Sequence, residues 1–411
     1  MHATPRALIL AAVSLLTACV GSNNPAAGGG TVAATPTLNV VSLSIDSGPS
    51  GAPGQFNHAY VTVRVCTPGS TSQCANIDHV LIDTGSSGLR LVRSVLTAAG
   101  VTLPTALDAS GQSIEECVSF GGGQTWGPVA SADVTLAGET AAALPVQILD
   151  DTGTGAPPPA NCGAQGTLIN GVAGFGANGL LGIGVFRHDC GAGCVNAATP
   201  QPIYFGCSAA GTCAAENVAL NAQVTNPVAA FPVDNTGVII ELPNLINANG
   251  DLSAQGQMII GIATQTDNAM PATGLTVLGT DSGGNFTTAY NGGASLPASI
   301  DSGTEDYAFE DPTIAVCAAG AFVGYYCPTV APLAVYAVNM GVGANSAANT
   351  VDFAIADPNT FAPNASALPN LGGGGSSGRF TWGMPFFYGR NVYVGINQRV
   401  AGLYTGPFFA Y

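Results

Sequence analysis

Two short stretches, one in each half of the 411-residue chain, repeat a single pattern: Val80-Leu81-Ile82-Asp83-Thr84-Gly85-Ser86-Ser87-Gly88 and Ser299-Ile300-Asp301-Ser302-Gly303-Thr304. Each carries an apolar run to a carboxylate, then to a hydroxyl, a glycine and a second hydroxyl. Buried like charges about 3 Å apart cannot both ionise, so two such carboxylates brought together share a proton and can act as acid and base on one water. The glycine lets a backbone N–H approach a carboxylate, and the hydroxyls can donate to its outer oxygen or to the opposite turn. A chain that uses both copies has to build two similar halves and bring their turns together.

The pattern alone is cheap among 56 glycines, because Asp46-Ser47-Gly48, Asp151-Thr152-Gly153-Thr154 and Asp281-Ser282-Gly283 spell part of it. Context separates them. Asp151 runs into Gly155-Ala156-Pro157-Pro158-Pro159 and Asp281 into Gly283-Gly284-Asn285, which are turn compositions, not ends of apolar strands.

Apolar runs cut every few residues by Gly, Pro, Asn and Ser, with only 8% charged residues, predict an all-β chain. Its length suits two domains. The formal net charge of −16 with eight basic residues leaves no basic stripe to neutralise phosphates, which argues against nucleic-acid partners. Alternation in Leu38-Val40-Ser42-Ser44 and Ala59-Val61-Val63-Val65 predicts strands. Residues 91–99 fit a short helix or strand, and residues 311–320 a short helix with Pro312 in its first turn. Residues 346–378 read as loop-rich. Between two strand-like runs, Phe120-Gly121-Gly122-Gly123 forms the tip of a hairpin.

The N-terminus reads as a processing segment: a short basic start, an apolar core, then Leu16-Thr17-Ala18-Cys19. It resembles a bacterial lipoprotein signal, with residues 1–18 removed, Cys19 lipidated, and residues 19–36 a Gly/Ala/Pro-rich tether. This places the chain outside the cytoplasm, anchored in the cell envelope at the outer membrane, with the lipid as its one membrane contact. Ten cysteines then remain, an even number that in an exported chain predicts disulfides. Cys66 with Cys74, and Cys317 with Cys327, are spaced to staple local loops, while the pairing of Cys117, Cys162, Cys190, Cys194, Cys207 and Cys213 stays open. Cys190 to Cys213 also admits a zinc cage, a weaker reading in an oxidising compartment. No cofactor or metal is expected.

Position by position, the two Asp turns resemble the active-site loops of pepsin-like aspartic peptidases, and the chain as a whole resembles a family of bacterial lipoproteins with pepsin-like lobes. The resemblance implies two pseudo-symmetric β-lobes, over residues 37–230 and 231–411, with the site in the cleft between them. It implies Asp83 and Asp301 as the catalytic dyad, Thr84 and Ser302 as cross-braces, Ser86 and Thr304 as holders of the outer oxygens, and Gly85 and Gly303 as the close-approach positions. Leu180-Leu181-Gly182 and Thr381-Trp382-Gly383 match the stretches that pass behind the two loops. The hairpin at Phe120, Gly121 and Gly122 resembles the flap over the substrate. Two departures stand out: the family carries Tyr and Trp, hydrogen-bonded to each other, where this chain has Phe120 and Arg90. Arg90 is expected against Phe120 or Trp126. Glu305, after the second turn, is a candidate to face the cleft and attract a basic side chain. The expected function is endopeptidase action on peptides or proteins by a monomer. The alternatives are a pepsin-like binding or structural lipoprotein without turnover, and a carbohydrate-binding β-protein, for which two tryptophans are few.

Overall fold

A computed structural model describes residues 39–162 and 166–411. The lipoprotein signal, Cys19 and the tether lie outside the described residues.

A single unit occurs twice. In the first copy, strands Ala59–Cys66 and Cys74–Asp83 form an antiparallel hairpin that ends on Asp83, and the chain turns back as Ser87–Val92. Strand Gly179–Ile183 inserts between the two arms, parallel to the first with Asp83 opposite Gly182, and antiparallel to the second. In the second copy, Phe286–Tyr290 and Ser295–Ile300 form the hairpin, Tyr307–Phe309 returns, and Phe380–Trp382 inserts between. It too runs parallel to the first arm, with Ile300 opposite Trp382, and antiparallel to the second. The inserted strand or the residue following it carries a glycine that backbone contact demands. A Cβ on Gly182 would lie 2.7 Å from the Ser87 carbonyl carbon, and one on Gly383 would lie 2.6 Å from the Thr304 oxygen.

The halves are mainly strand and are joined by continuous pairing. Val40–Ile45, at the start of the described chain, bonds both to Ala59–Cys66 and to Ala254–Ile260, and the sheet continues through Gly237–Glu241, Asn391–Gly395 and Phe408–Ala410. The first strand thus belongs to a platform built largely from the second half. All six residues of Ser87–Val92 are buried, whereas in Leu333–Met340 the buried Val335, Ala337 and Asn339 alternate with less buried positions, as one face of an antiparallel sheet does. Behind Asp301 the core is aromatic. Phe309 stacks on Phe380 at 5.0 Å, and Trp382, fully buried, satisfies its indole N–H on Asn339 Oδ1 at 3.0 Å.

Of the two forms open to residues 91–99, the short helix Arg93–Ala98 is present, after a strand that ends at Val92; two other expectations of local structure change. Residues 311–320 form no helix: the Asp311 carboxylate takes the Thr313 N–H at 2.9 Å in place of a helical carbonyl, and the Cys317–Cys327 disulfide pairs the segment with residues 325–327. The stretch read as loop-rich contains the eight-residue strand Ala348–Ile355, paired along its whole length with Leu333–Met340. All ten cysteines among the described residues are bridged: Cys66–Cys74, Cys117–Cys162, Cys190–Cys194, Cys207–Cys213 and Cys317–Cys327. Five bridges are consistent with an exported chain. No described helix is long and apolar enough to cross a membrane.

One buried side chain ties the halves together. Asn57, at φ 53°, donates through Nδ2 to the carbonyls of Glu305 (2.7 Å) and Leu368 (2.9 Å), and its Oδ1 accepts from the Leu368 N–H and the Tyr388 hydroxyl, each at 2.7 Å. Asparagine tolerates this left-handed backbone better than other side chains do. Asn57→Ala leaves these buried groups unpaired and strains the backbone, and we expect a loss of about 3 kcal/mol or more in chemical denaturation.

Candidate active site

The two repeated units place Asp83 and Asp301 face to face. A Cβ added to Gly85 would lie 2.6 Å from Asp301 Cγ, and one added to Gly303 would lie 2.9 Å from Asp83 Oδ1, so each turn's glycine is pressed against the other turn's carboxylate. The turns hold their acids alike. Asp83 accepts from the Gly85 N–H at 2.7 Å and from the Ser86 hydroxyl; Asp301 accepts from the Gly303 N–H and from the Thr304 hydroxyl, both at 2.9 Å.

The turns are also locked to one another. Thr84 Oγ1 donates to the Ile300 carbonyl at 2.8 Å and accepts from the Ser302 N–H at 2.9 Å. Reciprocally, Ser302 Oγ donates to the Ile82 carbonyl at 2.9 Å and accepts from the Thr84 N–H at 3.1 Å. Four buried hydrogen bonds therefore cross between the two turns, which fixes the separation of the carboxylates more tightly than either strand could alone. Burial, and then the charge of Asp301, raise the Asp83 carboxyl well above the usual carboxylate range, against the lowering effect of its bonds to Ser86 and Gly85. A pair in this setting keeps one proton where isolated carboxylates have lost theirs.

The cleft has two halves, each about 450 Å³, that meet at the paired carboxylates. Strands Ser113–Phe120 and Gly123–Leu136 form the hairpin whose tip, Phe120 and Gly121, lines both halves, with Gly122 on one. Phe120 meets Phe175 edge-on at 5.7 Å. The Cys117–Cys162 disulfide ties the hairpin to the segment beside it.

Arg90 meets one of its two expected neighbours. It borders one half of the cleft yet is fully buried, with its guanidinium carbon 5.5 Å from the Phe120 ring centroid, while the Trp126 indole bonds instead to the Ala156 carbonyl. Its Nη2 meets Glu116 at 2.8 Å and Asp189 at 3.4 Å, and its Nη1 donates to the Ser87 carbonyl at 2.9 Å. Tyr204 completes the cluster by donating to Asp189 at 2.7 Å. Burial drives the Glu116 carboxyl far above its ordinary range despite Arg90, with the charge of Asp189 adding to the rise. The cluster therefore sets one buried cation against two carboxyl groups. Phe120 thus lies over a guanidinium paired with carboxylates, a contact worth about 0.5 to 2 kcal/mol.

Glu305 does line one half of the cleft, and it is not a free carboxylate. It accepts from the Tyr325 hydroxyl at 2.9 Å and pairs with His58 Nε2 at 3.1 Å. Burial acts to raise its pKa, but the hydrogen bond and charge of His58, with Tyr325, outweigh it and hold Glu305 below the usual range. Its neighbour Asp306 is buried, pushed up to about 7 by that burial and then by the Glu305 charge. Cys190 and Cys194, and Cys207 and Cys213, drawn above as a zinc cage, are paired in disulfides. Among the described residues, the one cluster with ligand-like spacing is Cys317, Cys327 and Asp357, and both its sulfurs are in a disulfide.

Sequence reasoning missed His58, Tyr325, Glu116 and Asp189. The last two had a signal: an arginine within the apolar strand Ser87–Val92 has to be buried, and a buried guanidinium requires a carboxylate. Arg90→Met strands the remaining charge of the cluster and is expected to cost about 3 kcal/mol or more. Glu116→Gln, which keeps an acceptor for Arg90 and a donor for Asp189, is expected to cost about 1 kcal/mol or less. Thermal or urea unfolding of both variants measures the difference.

Among solved structures, the chain is similar to an aspartic proteinase from Irpex lacteus, at 14% identity and a TM-score of 0.49, over 90% of this chain and 96% of that one. No curated protein matches it. A family model covers residues 35–411, most of the sequence. The chain therefore belongs to the family described as "Protein of unknown function (DUF3443)".

Proposed function

We propose that this chain is an aspartic endopeptidase, hydrolysing peptide bonds with a water held between Asp83 and Asp301. The observation that carries the reading is the reciprocal bracing of the two turns, Thr84 to Ile300 and Ser302 to Ile82, which keeps two like charges in contact at the floor of a cleft. A fold could avoid that repulsion by losing one acid; retaining both, each with its N–H and hydroxyl donors, is what a shared proton requires.

In the reaction, the carboxylate without the proton takes one from water as the oxygen bonds to the peptide carbonyl carbon, while the protonated partner donates to the carbonyl oxygen. Collapse of the tetrahedral intermediate breaks the C–N bond, returns the oxygen's proton to the dyad and delivers the other to the leaving amine. No covalent enzyme intermediate forms. The hairpin tip, over both halves of the cleft, is placed to hold the substrate against the dyad and exclude water. The alternative, a binding or structural lipoprotein, would hold peptides and leave them intact.

Asp83→Asn and Asp301→Asn are each expected to lower cleavage of a mixed peptide library about a thousandfold or more. Activity of the parent should follow a bell-shaped pH profile, lost at low pH as both acids protonate and at high pH as the shared proton leaves; the raised Asp83 pKa extends the upper limb beyond that of an ordinary carboxyl. The same shift gives a stability test. A carboxyl raised on folding stabilises fully below its unfolded pKa and loses that contribution as pH rises through the folded value. Asp83→Asn should therefore match the parent in stability near pH 3 and exceed it at neutral pH. Undiminished cleavage by either variant would remove the dyad from the mechanism.

The proposed site of action is the cell envelope, with Cys19 as the lipid attachment. Leu16-Thr17-Ala18-Cys19 and the five disulfides support this reading. Cys19→Ser is expected to move the protein from the membrane fraction to the soluble one, or to leave it unprocessed, as fractionation and mass spectrometry would show.

A further inference from the structure

Arg379 supplies a cation to the half of the cleft that Glu305 does not line. It immediately precedes strand Phe380–Trp382 and is partly exposed, and its Nη2 donates to Ser299 Oγ at 3.1 Å. None of the ion pairs among the described residues includes it. Arg90 borders the same cavity and is fully engaged by Glu116 and Asp189, so the two guanidiniums differ in what they offer. An arginine held by one neutral hydroxyl keeps most of its five N–H donors for another acceptor, and its planar fork matches a carboxylate. Arg64, Arg187, Arg390 and Arg399 are likewise in none of these ion pairs, and what sets Arg379 apart is its place on the cavity that Asp83 and Asp301 border.

Register places this cation relative to the chemistry. Ser299 and Asp301 are two positions apart on one chain segment, so their side chains share a face about 7 Å apart. An extended peptide in the cleft advances the same distance in two residues. We infer, on the reading that the dyad cleaves peptides, that Arg379 is a specificity determinant. It binds a substrate carboxylate, either an Asp or Glu side chain or a C-terminal carboxylate, about two residues from the cleaved bond. The opposite half presents Glu305, with His58 and Tyr325, and a peptide laid the other way would bring its acid against that carboxylate. The two ends of the cleft thus favour one direction of binding.

The test uses the full-length protein and a matched peptide set of one sequence. One arm places Glu or Gln at each position flanking the cleaved bond; the other carries a free or an amidated C-terminus. Cleavage is followed by mass spectrometry, and binding by fluorescence anisotropy on the Asp83→Asn variant. The parent should favour the acidic over the neutral peptide about tenfold, with the acid two residues from the bond on one side only. That ratio should fall to about one in Arg379→Gln and be partly retained in Arg379→Lys, at reduced strength as ionic strength rises. The arm that shows the preference identifies a side-chain or a terminal carboxylate. Equal ratios in parent and Arg379→Gln would overturn the inference. If no peptide is cleaved, the peptidase reading fails, and the binding ratio then decides Arg379 alone: a tenfold preference that needs Arg379 upholds it, and no preference or no binding overturns it.

Discussion

The structure depends on holding two carboxylates closer together than their charges favour. At such contact, repulsion in a buried setting exceeds what one hydrogen bond returns, so the surroundings have to supply both a proton and a frame. The frame is the set of four bonds exchanged by Thr84 and Ser302, in which each hydroxyl accepts from the opposite turn's N–H and donates to a carbonyl of the opposite strand. Because each half carries the other half's partner, neither turn is complete alone. The pairing of Val40–Ile45 with both halves and the four bonds of Asn57 serve the same end, since any slippage between the halves would be felt at the dyad.

The glycines follow from this crowding. Gly85 and Gly303 face the opposite carboxylates, and Gly182 and Gly383 pass close behind the turns where a methyl group would strike backbone. A strand can insert between the two arms of the unit only if its side chain is missing at that crossing. This is why the apolar-apolar-glycine stretches recur in each half, and why their distance in sequence from the Asp turns says little about their distance in space.

The fold and dyad were legible in the sequence for a physical reason: the residues concerned act through local grammar. An apolar strand, a carboxylate, a hydroxyl and a glycine specify most of a turn's own hydrogen bonds, and the second copy specifies the partner. The short cysteine spacings 66–74 and 317–327 were legible in the same way. What escaped reading was set by distant contacts. His58 finds Glu305 across 247 positions, and Tyr388 finds Asn57 across 331, with no periodicity to announce either. The expected helix at residues 311–320 failed because the Asp311 side chain and a disulfide outcompeted the helical pattern, a contest that propensity alone does not weigh. Ala348–Ile355 was obscured by its Ala, Asn and Asp, weak strand formers that acquire their conformation from the neighbouring strand.

The hairpin is supported by charge. Phe120 over Arg90 demands it, because a guanidinium without water has to be matched by charge. Glu116 lies on the hairpin strand itself, Tyr204 stands opposite it on the strand paired to its edge, and Asp189 comes from a further segment, so the need to match Arg90 draws three parts of the chain together. Two carboxyls around one guanidinium again crowd like charges, as the paired aspartates do a short distance away. The hairpin is therefore anchored at its base by charge and ends in two exposed glycines, Gly121 and Gly122, whose backbone lacks the side-chain constraint that holds the strands below.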